Sequence, residues 1–371
     1  MPDYPRLPNG KIDIKSLDIN GLKSFFNSIE ESEGRAIRVY KHLWQNAVQS
    51  FEEMNTVAKS TQRTLQALCE IDFLKSHSVL NSDDGTTKYL WQLHNKGIVE
   101  SVLIPDENRE DNKKDRMTLC VSSQWGCAMK CSFCLTGDLG FKSHLSAAQI
   151  TNQILQVSRA LPKDKRITNI VMMGMGEPLH NYDNLIIALN TMLSNQGLNF
   201  SHRKITVSTV GLVPALRKLA NTLPVNLAIS LNSTTEAQRK SVMPITNKYS
   251  LEELLKTCRE IPLPNGKKIT FEYVLMAGFN DSLDDAQRLI ELLDGIPTKI
   301  NLIPYNENPA RNIQRPTPEK VKSFQHHIVS NGVHCTIRRT RGIDISAACG
   351  QLGKLLSPNN HISIQEETPH A

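Results

Sequence analysis

The sequence predicts an α/β fold in which a partial or full β/α barrel follows a small helical module and a β-hairpin. Three observations carry this. Beyond residue 117 the chain alternates β-branched or apolar runs with amphipathic helical stretches, as parallel strands with crossover helices require. No GxGxxG follows any of those runs, which favours a barrel over a doubly wound dinucleotide-binding sheet. Residues 17–75 instead pair short helical periods with polar breaks.

Taken in order, residues 17–29, 36–48, 51–54 and 61–68 form the helical periods of the front module, assigned to 1–80. Residues 87–104 alternate around an Asn-Lys-Gly turn and predict a hairpin. The hairpin and the charged stretch at 106–116, read as a loop or linker, make up an extension over 81–116. Strands are predicted at 118–124, 167–174, 204–210, 225–231, 268–276, 298–305 and 334–340. Helices are predicted at 146–161, 250–261, 282–295 and 317–332, giving a core over 117–355. The tail at 356–371 is polar and reads as disordered.

The chain has 371 residues, 39% of them apolar and 22% charged, which excludes collagen-like, coiled-coil and wholly disordered classes. No apolar run approaches the roughly 18 residues needed to span a bilayer, and no secretory leader is visible, so a soluble cytoplasmic protein without a membrane partner is expected. The net charge of +6 is uneven: residues 1–116 carry 16 basic and 18 acidic side chains, and 117–371 carry 27 and 19. A basic excess in the core fits a polyanionic partner or a solubility feature.

Eight cysteines are too sparse for a disulfide scaffold, so their spacing reports on metals and catalysis. Cys127, Cys131 and Cys134 place three thiols within eight residues directly after the first core strand. Three thiolates with no fourth ligand nearby suit a four-iron cluster with one open iron; structural zinc closes its tetrahedron with four ligands.

Cys-x3-Cys-x2-Cys after a first strand resembles the radical S-adenosylmethionine (SAM) superfamily. The resemblance implies a partial barrel, one [4Fe-4S] cluster on Cys127, Cys131 and Cys134, and SAM chelated at the open iron. Further segments sharpen it. The loop with Gly176 and Glu177 resembles the loop contacting the SAM amino group; Ser208, and Ser230, Leu231 and Asn232, resemble further SAM-binding positions. Asn306 resembles the adenosine-side contact. Over 100–352 the sequences TLCVSSQWGCAMKCSFCLTG, MGMGEPLHNYDN, VSTVGLVPAL, LAISLN, MPIT, LIPYN and RRTRGIDISAACGQL resemble the dual-specificity adenine carbon-2 RNA methyltransferases, and the front module resembles their accessory domain.

That likeness implies methylation of carbon 2 of an adenine in the peptidyl-transferase region of 23S rRNA and of a purine 3′ of the tRNA anticodon. Carbon 2 is an electrophilic amidine carbon, so simple displacement on SAM is closed to it. In the family a cysteine first accepts a methyl group from one SAM, and a radical from a second SAM activates that S-methyl group toward the ring. The resulting protein–RNA adduct is resolved by a second thiol, leaving a transient disulfide. By motif, Cys349 resembles the methyl carrier, Cys120 the resolving thiol and Glu100 the proton acceptor.

On residues alone, Cys120 reads as a small buried hydrophobe and Glu100 as a solvated acid. Cys69, Cys258 and Cys335 read as structural. Basic groups at His202, Arg203 and Lys204, at Arg311 and Arg315, and at Arg338, Arg339 and Arg341 are candidates for phosphate contacts, although a charge run is commonly a solvated face. A flavodoxin-type electron donor and a monomer are expected. Two rivals stay open at this point: adenine carbon-8 methylation by related resistance enzymes, and a non-catalytic iron–sulfur or zinc RNA-binding module.

Overall fold

A computed structural model of the chain describes residues 4–106, 116–264, 266–308 and 311–354. Of the charged stretch 106–116 read as a loop or linker, Asp106 and Arg116 belong to strands and 107–115 lie outside the described residues, as does the tail at 356–371.

Three helices open the chain: α1 (Ile19–Ser28), α2 (Glu33–Trp44) and α3 (Lys59–Leu68). Asp18 starts α1 by accepting from the Gly21 amide at 2.8 Å, satisfying an otherwise orphan helix donor. The apolar faces meet in their own core around Leu22, Phe25, Phe26, Tyr40, Leu43 and Leu65, which also takes in Leu155 from the barrel. Polar contacts complete this seam. Tyr40 donates to Thr191 Oγ1 at 2.8 Å, and the buried Lys15 donates to Asn152 Oδ1 at 2.9 Å with its Nζ 3.4 Å from the Phe73 ring centroid.

Helical structure ends at Leu68, and residues 75–80, read from sequence as part of the helical segment, belong to a strand. That strand, β1 (Lys75–Asn81), pairs antiparallel with β2 (Thr87–Gln92), which pairs with β3 (Ile98–Asp106) across the expected Asn95-Lys96-Gly97 turn. Lys96 has φ +62°, and Asn95 Oδ1 accepts from the Gly97 amide at 3.1 Å, the local chemistry that makes this tripeptide a turn.

β3 runs antiparallel to β4 (Arg116–Cys120), where the parallel sheet begins. There follow β5 (Asn169–Met172), β6 (Ile205–Thr209), β7 (Asn226–Ser230), β8 (Ile269–Leu275), β9 (Thr298–Pro304) and β10 (Cys335–Ile337), each parallel to its predecessor. β5 to β10 each lie within a predicted apolar run, while β4 begins two residues before the run predicted at 118–124 and ends at Cys120. The spatial order β10 to β1 follows the chain without exception, and the two end strands do not pair with each other, so the barrel is partial.

Crossovers are made by α4 (Ala147–Ala160), α5 (Tyr182–Leu193), α6 (Val213–Thr222), α7 (Glu236–Val242), α8 (Leu251–Glu260), α9 (Leu283–Leu292) and α10 (Pro318–Ser330). Their starts are written in the sequence: the side chains of Ser146, Ser250, Ser282 and Thr317 each accept from the amide three residues on. Among the described residues no helix is long and apolar enough to cross a membrane. Because seven strands run parallel, their C-terminal ends and the loops that follow gather at one end of the barrel.

Candidate active site

The loop leaving β4 is bent by residues that tolerate no substitute. Gly126 has φ +74°, and a Cβ there would lie 1.8 Å from the Gly140 carbonyl oxygen. The loop is pinned to its surroundings by bonds from Ser132 N to Val242 O at 2.9 Å and from Leu135 N to Gly350 O at 2.8 Å. Cys127, Cys131 and Cys134 consequently line one cavity.

Burial pushes the Cys127 thiol up to about 12 and Cys131 well above its ordinary range, and neighbouring thiolates push further. These thiols therefore ionise when a cationic metal centre compensates them. The cavity's remaining cysteine, Cys349, acts electrostatically on Cys120 and Arg338, while Cys134 acts on Cys127 and Cys131, and Cys127 on Cys131. The thiols thus divide into a group of three on one loop and a separate pair. Among the described residues no three Cys, His, Asp or Glu side chains converge on a single-ion site. In a four-iron cluster each thiolate holds a different iron, and the three-thiol loop fits that group.

The other strand-end segments close the cavity. Gly176 has φ +94°, and a Cβ there would lie 2.5 Å from Gln124 Cβ, so the backbone of this loop lies directly on a neighbouring side chain. Glu177, buried, accepts from Leu179 N at 3.0 Å through Oε1 and from Val210 N at 2.9 Å through Oε2, joining the loops after β5 and β6. Burial raises its carboxyl to about 7, against the lowering effect of those amides. Ser208, Ser230 and Asn232 line the same cavity. Asn232 adopts φ +60° and accepts from Val274 N at 2.9 Å, locking the end of β7 to β8. Leu231 is completely buried, and what it offers the site is backbone: its carbonyl accepts from the buried Arg239 at 3.2 Å.

Asn306 lines the cavity, and its side chain donates to the Cys349 carbonyl at 3.0 Å, holding the C-terminal segment across the barrel mouth. Cys120 and Cys349 are both free thiols. Burial pushes Cys120 up to about 12, a nearby Cys349 charge adds to this, and the Arg338 guanidinium opposes it. Two residues were not legible as site residues. Arg338, read as a phosphate contact, points into the cavity among Cys349, Cys120 and Glu272, which together hold its guanidinium firmly charged. Glu272, on β8, lines the cavity, accepts from Asn301 at 2.7 Å and is raised by burial. Its only sequence signal was an acid inside an apolar run.

Glu100 is placed differently from a solvated hairpin acid. It is completely buried on β3, 3.4 Å from the equally buried Lys88 Nζ, and its Oε1 accepts from Gly353 N at 3.2 Å. Burial raises its carboxyl and Lys88 opposes this. Glu100 is not among the residues lining the cavity; it touches the segment four residues beyond Cys349. The pairing leaves Oε2 at ion-pair distance from Lys88 without hydrogen-bond geometry.

A second, adjoining cavity shares Cys349, Arg338, Asn306, Glu272 and Met173 with the first. Its wall includes Arg116, Lys299, Arg339 and Arg341, so Cys349 sits between the thiol loop and a basic opening. The other proposed phosphate contacts are used otherwise. Arg311 donates to both Asp138 oxygens at 2.7 Å, Arg315 bonds Thr340 at 3.3 Å, and His202–Lys204 immediately precede β6, at the end of the barrel away from the cavity.

Comparison with known proteins gives the same picture at the level of sequence. Residues 121–293 match the radical SAM superfamily, and residues 12–71 match the N-terminal domain of ribosomal RNA large subunit methyltransferases. A dual-specificity RNA methyltransferase RlmN from Geobacter sulfurreducens is 48% identical over 93% of this chain and 93% of its own length. The corresponding protein from Anaeromyxobacter sp. is 44% identical over 95% of this chain and 93% of its own. The crystal structure of a radical SAM methyltransferase from Sphaerobacter thermophilus superposes with a TM-score of 0.83 at 35% identity, covering 91% of this chain and 98% of that one. With a partial barrel of this order, a three-thiol loop at its mouth and such identity along nearly the whole chain, the protein belongs to the family of dual-specificity RNA methyltransferases.

Proposed function

We propose that this protein methylates carbon 2 of adenine in 23S rRNA and tRNA, using a [4Fe-4S] cluster held by Cys127, Cys131 and Cys134, two SAM molecules per turnover, and a methyl group carried on Cys349. The observation that carries the reading is the convergence of the three-thiol loop, Glu177, Ser208, Ser230, Asn232, Asn306 and Cys349 on one cavity. When bound, the cluster and SAM supply a 5′-deoxyadenosyl radical.

The chain's own groups then have distinct tasks. Glu177, the Gly176 backbone, Ser208, Ser230, the Leu231 backbone and Asn232 form the SAM side, and Asn306 positions Cys349. Cys349 Sγ accepts the methyl group, and Arg338 lines the cavity beside it. Cys120 Sγ attacks the Cys349 sulfur of the adduct whose methylene is bonded to carbon 2; the sulfur–methylene bond breaks, its electron pair stays on the carbon, which takes up a proton to become the methyl group, and the disulfide formed is returned to two thiols by an external two-electron reductant. A carboxylate takes the ring proton. Glu100 is the family-based choice, supported by its raised carboxyl and its bond to the segment following Cys349. Glu272 is a second reading, favoured because it lines the cavity beside Arg338.

The basic opening beside Cys349 suits phosphates flanking an extruded adenine. A flavodoxin-type donor, a monomeric state and a cytoplasmic location complete the proposal. Cys349→Ala tests it: loss of methyl transfer with RNA binding retained supports the enzyme, while unchanged methylation overturns the assignment of the carrier.

A further inference from the structure

Gln124 is completely buried where three segments meet. Its Oε1 accepts from the Glu177 backbone N–H at 2.8 Å. A backbone N–H only donates, so this bond fixes which end of the amide is which. Nε2 is therefore the atom 3.1 Å from His144 Nδ1 and 3.0 Å from His180 Nδ1. An amide NH2 group also only donates, so both rings accept through Nδ1 and are neutral, with their protons on Nε2. The Gly176 backbone lies against the same side chain, where a Cβ would meet Gln124 Cγ at 2.7 Å. Phe141 packs on both rings, at 4.9 Å from His144 and 5.3 Å from His180, and the two imidazoles are 5.0 Å apart.

We propose that Gln124 is a positioning residue that seats the Gly176–Glu177 loop for SAM, and that neutral His144 and His180 hold it in the one amide orientation that does so. The inference rests on the reading of Glu177 as part of the SAM site. Protonating either ring puts an N–H opposite the Gln124 N–H. Turning the amide over restores the bond to the ring but sets its NH2 against the Glu177 amide, which loses its acceptor. The loop thus senses the charge of two half-exposed imidazoles. The groups acting on the pair are the rings themselves and Lys248 beside His180. Burial, the partner ring and Lys248 favour the neutral forms.

The test is the SAM dissociation constant of the reconstituted holoprotein, by equilibrium dialysis at pH 7.5 and pH 5.5, with cluster absorbance confirming loading. Gln124→Ala is expected to weaken binding about tenfold at pH 7.5. A His144→Asn/His180→Asn double variant, whose amide oxygens accept from Gln124 without titrating, is expected to bind within about threefold of the parent at pH 7.5 and to lose most of the parent's weakening at pH 5.5. Glu177 and SAM itself titrate in both proteins, so the readout is the difference between them. A parent-like pH ratio in the double variant, or Gln124→Ala binding within twofold of the parent, overturns the proposal. If Gln124→Ala fails to load its cluster, the double variant decides alone. If the parent binds no SAM, the reading of the site fails first and this inference with it.

Discussion

Glu177→Gln separates what this carboxylate does for the fold from what it does for the site. Each oxygen accepts one backbone amide, Leu179 N at 3.0 Å and Val210 N at 2.9 Å, and the two amides belong to different loops. Glutamine keeps one acceptor and turns an NH2 group toward the other amide. The amide that faces this NH2 group is left a buried donor without an acceptor, at about 1–3 kcal/mol. An opposing term is of similar size. Burial raises the carboxyl from 4.5 to about 7, so keeping it ionised at neutral pH costs about 3 kcal/mol, at about 1.4 kcal/mol per pH unit, and the neutral amide escapes this cost.

The two terms nearly cancel in global stability but not in the geometry of the loop. Chemical denaturation of Glu177→Gln should therefore differ from the parent by less than about 1.5 kcal/mol, while SAM binding by dialysis weakens roughly 10- to 100-fold, at about 1.4 kcal/mol per tenfold. The sign with pH follows as well. A folded carboxyl raised above its unfolded value stabilises most below 4.5 and loses that contribution as pH rises toward 7, and the variant lacks this decline. SAM affinity within twofold of the parent would refute the loop-joining role, and a loss of several kcal/mol of stability would refute the cancellation.

Further outcomes follow from the same geometry. Cys120→Ala removes a small buried side chain at a cost of about 1 kcal/mol, keeps methyl loading of Cys349, and accumulates a protein–RNA adduct visible as a shifted band on denaturing gels. Lys88→Met leaves Glu100 as an unpaired buried acid and should destabilise by about 3–5 kcal/mol in denaturant, with Lys88→Met/Glu100→Gln recovering much of this. Glu100→Gln and Glu272→Gln, compared for adduct accumulation, assign the proton acceptor.

The seven core strands were legible because a strand covered on both faces reads as a continuous apolar run, and the helix starts because Ser146, Ser250, Ser282 and Thr317 announce them. β1 was not legible. Its KSHSVLN sequence lies on an edge with largely exposed side chains and has no apolar face to betray it. The cavity's thiols were visible through spacing, whereas Arg338 and Glu272 were not, because a polar lumen inverts the usual rule for a strand and sequence does not say which face turns inward. Glu100 and Lys88 were hidden by the opposite effect: each reads as a surface charge until its partner on the neighbouring strand is known. The Gln124, His144 and His180 cluster draws on three segments far apart in the sequence, an arrangement that only the folded chain assembles.

The central claim is tested most directly by nucleoside mass spectrometry of unmethylated ribosomal and transfer RNA incubated anaerobically with the reconstituted protein, SAM and a reductant. The account predicts 2-methyladenosine from both RNAs. Finding 8-methyladenosine instead, or no methylated adenosine from protein with an intact cluster, would contradict it.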